Sequence, residues 1–223
     1  MEEVTKTYRT GEIETPALRG VDLSIAQGEF ASIVGPSGCG KTTLLNLVGG
    51  LDSPTSGKIH LDGIDLQDCK EKQLSGIRLR HIGFVFQAYN LFPVLTALEN
   101  VEYVMMLQGV QSAERRKRAM DLLEAVGLAE MAGKRPVQMS GGQQQRVAVA
   151  RAISTGPRLV LADEPTANLD SATASKLLDL MERLNRERGA TFLFSTHDPR
   201  VVERARRVIY LRDGLVVEAN HQL

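Results

Sequence analysis

The segment Gly35-Pro36-Ser37-Gly38-Cys39-Gly40-Lys41-Thr42-Thr43 has the spacing G-x-x-x-x-G-K-[ST] of a phosphate-binding loop. It follows an apolar run, Phe30 to Val34, and precedes a helix-like run that ends at Val48. Glycines let the backbone curl around an anion because they carry no Cβ, and the helix adds the positive end of its dipole. We therefore expect the whole segment to surround the phosphates of a nucleotide, with Lys41 reaching the outer phosphates and the Thr42 hydroxyl binding Mg²⁺.

The composition permits one large domain and argues against several classes of protein. The chain has 223 residues, of which 43% are hydrophobic, so a substantial core can form. Lys+Arg and Asp+Glu both number 27, and acidic residues flank the basic run at residues 115–118, so nothing calls for nucleic acid as a partner. The two cysteines show no spacing typical of a disulfide framework or a zinc site. No segment approaches the ~20 apolar residues of a membrane-spanning helix, and the chain starts without a signal-peptide pattern, so we expect a soluble or peripheral protein.

The order of the predicted strands and helices indicates an α/β fold with a mostly parallel sheet. Short β-type segments dominate residues 1–34, and a hairpin over residues 58–66 is expected to join them in a small antiparallel sheet. Residues 91–155 are typical of a helical insertion, in which Thr96 and Ser140 each begin a capping box. We therefore expect a single domain over residues 1–223, with a nucleotide-binding core of residues 1–90 and 156–223 and a helical subdomain of residues 91–155.

Further polar groups follow apolar strands directly, as the phosphate-binding loop does: Gln87, the pair Asp163-Glu164, and His197. Ligands of open α/β sheets bind beyond the carboxyl ends of the strands, so these groups converge if their strands lie side by side. Asp163 can hold Mg²⁺ directly or through water, and Glu164 can act as a general base or position the attacking water. His197 can hydrogen-bond the outer phosphate or orient Glu164.

The segment Met139-Ser140-Gly141-Gly142-Gln143 predicts a second anion site. Ser140 and Gln143 fit a capping box, so a helix begins here with two glycines and free N–H groups. One phosphate-binding loop holds one set of phosphates, so a second anion-binding helix start suggests two copies of the chain. Arranged head to tail, each copy would offer Ser140, Gly141 and Gly142 to the nucleotide of the other.

Together these residues resemble the ATP-binding subunit of an ABC transporter, and the resemblance covers nearly the whole chain. The family's motifs occur in its order: Walker A at residues 35–43, the Q-loop at Gln87, the signature at 139–143 with Met where Leu is usual, Walker B at 159–163, a D-loop at 167–170 with Asn168 where Ser or Ala is common, and the switch histidine His197. The resemblance implies ATP and Mg²⁺ as cofactors, with Glu164, His197 and Gln87 as catalytic residues and Thr42, Asp163 and Gln87 as metal ligands. It also implies that Tyr8 stacks on adenine, whereas the residues alone favour a strand residue on a half-buried sheet.

A finer resemblance, to the lipoprotein-release and macrolide-efflux (LolD/MacB-like) branch, is carried by residues 82–87, 95–101 and 162–170. The FtsE-like and peptide-resistance branches share much of these segments. The resemblance implies integral membrane permease subunits that dock on the helical block near Gln87, and a peripheral location at the cytoplasmic face of the inner membrane.

Two alternatives come from other classes of protein. A related ATPase acting on DNA or the ribosome is disfavoured by the neutral charge, the single nucleotide domain and the lack of a long coiled coil. A P-loop kinase does not explain residues 140–143 or His197.

Overall fold

A central sheet covered by helices dominates the computed structural model, which describes residues 1–221. Its strands, numbered in chain order, are β1 (Glu2–Thr10), β2 (Ile13–Val21), β3 (Phe30–Val34), β4 (Ser56–Lys58), β5 (His60–Leu61), β6 (Ile64–Asp65), β7 (Ile82–Val85), β8 (Leu159–Asp163), β9 (Thr191–Thr196), β10 (Arg207–Arg212) and β11 (Leu215–His221). Its α-helices are α1 (Lys41–Val48), α2 (Glu71–His81), α3 (Ala97–Leu107), α4 (Ser112–Ala125), α5 (Gly141–Ile153), α6 (Ser171–Arg188) and α7 (Pro199–Arg204). No helix within residues 1–221 is long and apolar enough to cross a membrane.

The central sheet has six strands in the order β11-β10-β3-β9-β8-β7. Every neighbouring pair is parallel except the terminal hairpin of β10 and β11. Successive residues of the inner strands face two different core clusters: Val160 packs on the side of α3, α5 and α6, while Leu161 packs on the side of α1. Because helices bury both faces, the inner strands are buried along nearly their whole length and consist mainly of apolar residues. The predicted α/β class with a mostly parallel sheet is confirmed.

A separate antiparallel sheet of three strands, in the order β2-β1-β4, lies beside the central one. The predicted small antiparallel part is confirmed, but the expected role of the hairpin over residues 58–66 was wrong. The segment that joins the early strands is β4, whereas within residues 1–221 β5 and β6 pair only with each other. Gly57 explains the placement, because a Cβ at this residue would lie 2.4 Å from the Glu3 carbonyl oxygen, so only glycine allows β4 to approach β1 so closely.

Both predicted capping boxes are present in the helical part of the chain. The Thr96 hydroxyl accepts from the Glu99 amide at 3.2 Å, and the Glu99 carboxylate accepts from the Thr96 amide at 2.8 Å, which begins α3. The Ser140 hydroxyl accepts from the Gln143 amide at 3.3 Å and so begins α5. Helices α3, α4 and α5 pack on one another and share the core cluster that covers one face of the sheet.

Candidate functional site

A cavity of about 610 Å³ lies beyond the carboxyl ends of four neighbouring strands, β3, β9, β8 and β7. Each strand delivers one of the polar groups predicted to converge. The cavity is lined by Ala17, Gly35, Pro36, Ser37, Gly38, Gly40, Lys41, Thr42, Thr43, Gln87, Asp163, Glu164, Ser195 and His197. The four strands are adjacent in the sheet, which is the condition under which the sequence predicts that these groups meet.

Two glycines hold the phosphate-binding loop against the rest of the fold. A Cβ on Gly35 would lie 2.1 Å from the Leu211 carbonyl oxygen, and one on Gly40 would lie 2.6 Å from the Ala17 carbonyl oxygen. Gly40 also has a φ of 107°, a conformation that favours glycine, and it directly precedes α1. No side chain among the described residues caps α1, so the N–H groups of its first turn remain available to an anion at the cavity wall.

The polar side chains of the loop and of β8 fit a nucleotide with its metal ion. The Lys41 ammonium donates to the carbonyl oxygens of Gly35 at 2.7 Å and Pro36 at 3.0 Å, which holds its positive charge inside the loop. The Thr42 hydroxyl donates to the Asp163 carboxylate at 3.2 Å. A hydroxyl and a carboxylate that meet at the cavity wall are the oxygen ligands that Mg²⁺ prefers, and Gln87 lines the same cavity.

Glu164 is held in place by residues at the end of β9 and directly after it. Its carboxylate lies 2.6 Å from Nδ1 of His197 and accepts from the Thr196 hydroxyl at 3.1 Å. A carboxylate only accepts, so Nδ1 of His197 carries the proton of this hydrogen bond. Glu164 has a φ of 45°, which is uncommon for a residue with a side chain, and its amide donates to the Ser195 carbonyl at 2.8 Å. The backbone is therefore constrained at the residue that carries the carboxylate.

Some of the predicted site residues lie outside the cavity. Cys39 is 4% exposed and packs in the core, while its amide donates to the Pro36 carbonyl at 3.3 Å. The Tyr8 hydroxyl donates to Asp52 at 3.0 Å. The residue is 40% exposed, and the Lys6 ammonium lies 4.9 Å from the ring centre. Residues 140–142, at the start of α5, do not line the cavity of their own chain.

Sequence reasoning missed two groups around the cavity. Ser195 lines the cavity, and its hydroxyl has no hydrogen-bond partner among the described residues. The Asp198 carboxylate accepts from the Thr166 hydroxyl at 2.6 Å and from Arg200 at 2.6 Å, and so joins the segment after Glu164 to the segment after His197. The hydrogen bonds from Arg200 and then Thr166 lower the pKa of Asp198 from 3.8 to about 2. The available signal was the run of polar residues at the end of β9, which predicts a site edge without assigning partners.

The parallel sheet, the glycine loop before α1 and the acidic pair after β8 define a P-loop nucleoside triphosphatase. The family model described as "ABC transporter" matches residues 18–167, and the chain belongs to this family. The predicted assignment to its ATP-binding, ATPase-type subunits is thereby confirmed at the level of the family. Nothing in these comparisons supports the alternative of an ATPase acting on DNA or the ribosome.

Relatives named for export and lipoprotein release match most of the chain. The chain is 48% identical over 218 residues to a macrolide export ATP-binding/permease protein MacB of Syntrophobacter fumaroxidans. The match covers 97% of this chain but only 30% of that protein. The chain is 48% identical over 215 residues to the lipoprotein-releasing system ATP-binding protein LolD of Anaeromyxobacter dehalogenans, covering 96% of this chain and 90% of that one. A dimeric, post-hydrolysis structure of the ATP-binding cassette MJ0796, bound to ADP and Pi, superposes with a TM-score of 0.92 at 47% identity, covering 99% of this chain and 97% of that one. MJ0796 is a protein of Methanocaldococcus jannaschii.

Proposed function

We propose that this chain binds Mg-ATP in the 610 Å³ cavity, hydrolyses it in a head-to-tail dimer and transmits the resulting movement to membrane partner subunits. The observation that carries the proposal is the convergence of the glycine loop, Asp163, Glu164 and His197 on one cavity. Membership of the ABC transporter family supports ATP as the nucleotide.

Binding relies on charge and on the backbone. The glycine loop and the Lys41 ammonium face the phosphates, while Thr42 and Gln87 would hold Mg²⁺ and Asp163 would hold it directly or through water. The ion, when bound, would neutralise negative charge on the phosphates. Phosphoryl transfer needs little covalent help, so positioned charges and dipoles supply most of the rate. Tyr8, which is 40% exposed, stacks on adenine.

Glu164 accepts a proton from the attacking water or orients that water toward the γ-phosphate. Of the two roles considered for His197, orienting Glu164 is the one that the 2.6 Å contact favours. Thr196 holds the second carboxylate oxygen, so the carboxylate enters the reaction already aligned. Gln87 and His197 then respond to the presence of the γ-phosphate.

A second copy of the chain completes the site. Ser140, Gly141 and Gly142 lie outside the cavity of their own chain, yet they begin a helix whose N-terminus suits an anion. The Ser140 hydroxyl accepts from the amide of Gln143, which leaves its proton free to donate to a phosphate oxygen. The related cassette MJ0796 was solved as a dimer, which supports this arrangement.

Integral membrane permease subunits of the lipoprotein-release or efflux type are the proposed partners, at the cytoplasmic face of the inner membrane. LolD and MacB are named for lipoprotein release and macrolide export, and no described helix can span a membrane itself. The proposed docking surface is the helical subdomain of residues 91–155 within the single domain 1–223. Its large exposed apolar residues include Phe92, Val94, Met106, Leu107 and Val137. Recovery of the chain with an integral membrane protein supports this part, whereas recovery only with ribosomes or DNA contradicts it.

Replacement of Glu164 by glutamine tests the proposed chemistry. Turnover of Mg-ATP should fall by roughly 10²- to 10⁴-fold while nucleotide affinity stays within a few-fold, because Gln keeps the shape but not the base. Light scattering at saturating Mg-ATP should show a dimer of the Glu164→Gln variant. Glu203→Gln, at an exposed position of α7, is the matched control and should turn over normally. Near-normal turnover of Glu164→Gln removes Glu164 from its role, and a strict monomer counts against the two-chain site.

A further inference from the structure

Asn168 connects the segment behind Glu164 to the backbone of Gln87. It lies in the loop between β8 and α6, and its side-chain amide donates to the Gln87 carbonyl oxygen at 3.0 Å. No backbone N–H group in the described chain donates to that carbonyl. The hydrogen bond therefore joins two cavity-lining segments that are 81 residues apart in the chain.

The short segment that begins at Gln87 is also held at its far end, by Arg151 of α5. The guanidinium of Arg151 donates to the carbonyl oxygens of Tyr89 at 3.0 Å and Asn90 at 2.5 Å, and both of these residues have positive φ values, 60° and 48°. Arg151 is 9% exposed, and burial lowers the pKa of its guanidinium. Residues 87–90, which we call the Gln87 segment, are thus held at both ends, and Tyr89 keeps a φ value that is uncommon for a bulky side chain.

The start of α5 meets this junction as well. A Cβ on Gly141 would lie 2.7 Å from the Tyr89 hydroxyl and 3.8 Å from the Asn168 carbonyl oxygen. The Gln87 segment, the loop that carries Asn168 and the helix that begins at Ser140 therefore touch one another in a single chain. A displacement of any one of them changes the contacts of the other two.

We infer that Asn168 is a positioning residue that acts through Gln87, setting where the Gln87 amide stands relative to Glu164. The inference rests on the proposed function of the cavity. Asn168 is not required to cap α6. The cap comes from Asp170, whose carboxylate accepts from the amides of Ala172 and Thr173 at 3.1 and 3.0 Å. Asn168 is itself exposed, so its side chain fills no space in the core.

A double-mutant cycle on Mg-ATP turnover tests this coupling. Asn168→Ala should lower kcat by about 3- to 10-fold, the range of one net hydrogen bond, with KM changed by less than about twofold. Asn168→Asp keeps the shape but loses the donor, and should lower kcat at least as much. In the Gln87→Ala background, Asn168→Ala should change kcat by less than about twofold, because the Gln87 carbonyl remains but the side chain that Asn168 positions through it is absent. Effects that multiply in the double variant overturn the inference.

A matched control variant and a hydrogen-exchange measurement made without nucleotide test the role of Asn168 independently of the proposed ATPase function. Gln108 also donates a side-chain amide to a backbone carbonyl, that of Leu79 at 3.0 Å, but does not line the cavity, so Gln108→Ala should leave kcat unchanged. Hydrogen exchange of a peptide covering residues 86–91 should become about 3- to 10-fold faster in Asn168→Ala and stay unchanged in Gln108→Ala. Unchanged exchange in Asn168→Ala overturns the inference whatever the activity. Absence of Mg-ATP binding and turnover in the unmutated chain contradicts the proposed function instead.

Discussion

Replacing Asp198 with asparagine removes one negative charge from the junction of the two segments that carry Glu164 and His197. The Asp198 carboxylate accepts from Arg200 Nη2 at 2.6 Å and from the Thr166 hydroxyl at 2.6 Å, and its side chain is 10% exposed. An asparagine has the same shape and can still accept from Thr166. The substitution removes the negative charge, and it also removes the Oδ1 acceptor of the Arg200 amide, which lies at 2.9 Å.

The magnitude follows from the lowered pKa of Asp198. The hydrogen bonds from Arg200, and then from Thr166, bring this pKa from 3.8 to about 2 in the folded protein. Each pKa unit corresponds to about 1.4 kcal/mol, so the ionised carboxylate contributes about 2 kcal/mol to the free energy of unfolding. Because the folded pKa lies below the unfolded one, this contribution is present above pH 3.8 and is lost as the pH falls from 3.8 to about 2.

Urea unfolding of the unmutated chain and of Asp198→Asn, followed by circular dichroism between pH 7 and pH 2, measures this contribution. We expect a difference of about 2 kcal/mol at neutral pH that shrinks toward zero near pH 2. Asp179→Asn is the control, since Asp179 pairs with Arg204 but is 61% exposed, and should cost no more than about 1 kcal/mol. A difference for Asp198→Asn that is as small as that of the control at pH 7, or that does not depend on pH, refutes the reasoning.

Three further substitutions test the loop and the metal site. Gly35→Ala places a Cβ 2.1 Å from the Leu211 carbonyl oxygen; we expect Tm in scanning fluorimetry to fall by roughly 3–10 °C, and an unchanged Tm would show that the loop is not packed as described. Lys41→Ala removes the ammonium from the phosphates and should weaken ATP binding by roughly 10- to 100-fold in calorimetry, whereas equal affinity would exclude Lys41 from phosphate binding. Asp163→Asn should raise the Mg²⁺ concentration for half-maximal turnover by roughly tenfold or more, and an unchanged Mg²⁺ dependence would remove Asp163 from the metal site.

The parts of the fold that local patterns determine were predictable from the sequence. The apolar runs of β3, β8 and β9, the glycine loop before α1 and the capping box at Ser140 all depend on residues close together in the chain. The convergence of the cavity residues followed from one general property of open α/β sheets, that ligands bind at the carboxyl ends of neighbouring strands.

The parts that depend on contacts between distant residues were not predictable. The pairing of β4 with β1 depends on the close approach of Gly57 to Glu3, and the hairpin pattern of residues 58–66 says nothing about this contact. The hydrogen bond from Asn168 to the Gln87 carbonyl and the contact of Thr166 with Asp198 likewise bridge segments far apart in the chain. Sequence patterns identify such side chains as polar but cannot assign their partners.

The claim that two copies share each site is tested most directly by mixing two inactive variants. Lys41→Ala impairs the phosphate-binding loop, and Ser140→Asp preserves the helix cap because aspartate also accepts from the Gln143 amide, but places a negative charge against the γ-phosphate. In a head-to-tail dimer of one chain of each kind, one site combines both defects and the other contains neither. Random pairing then predicts that the 1:1 mixture recovers about one quarter of the unmutated Mg-ATP turnover, although each variant alone is inactive. A mixture that remains as inactive as the separate variants would contradict a site built from two chains.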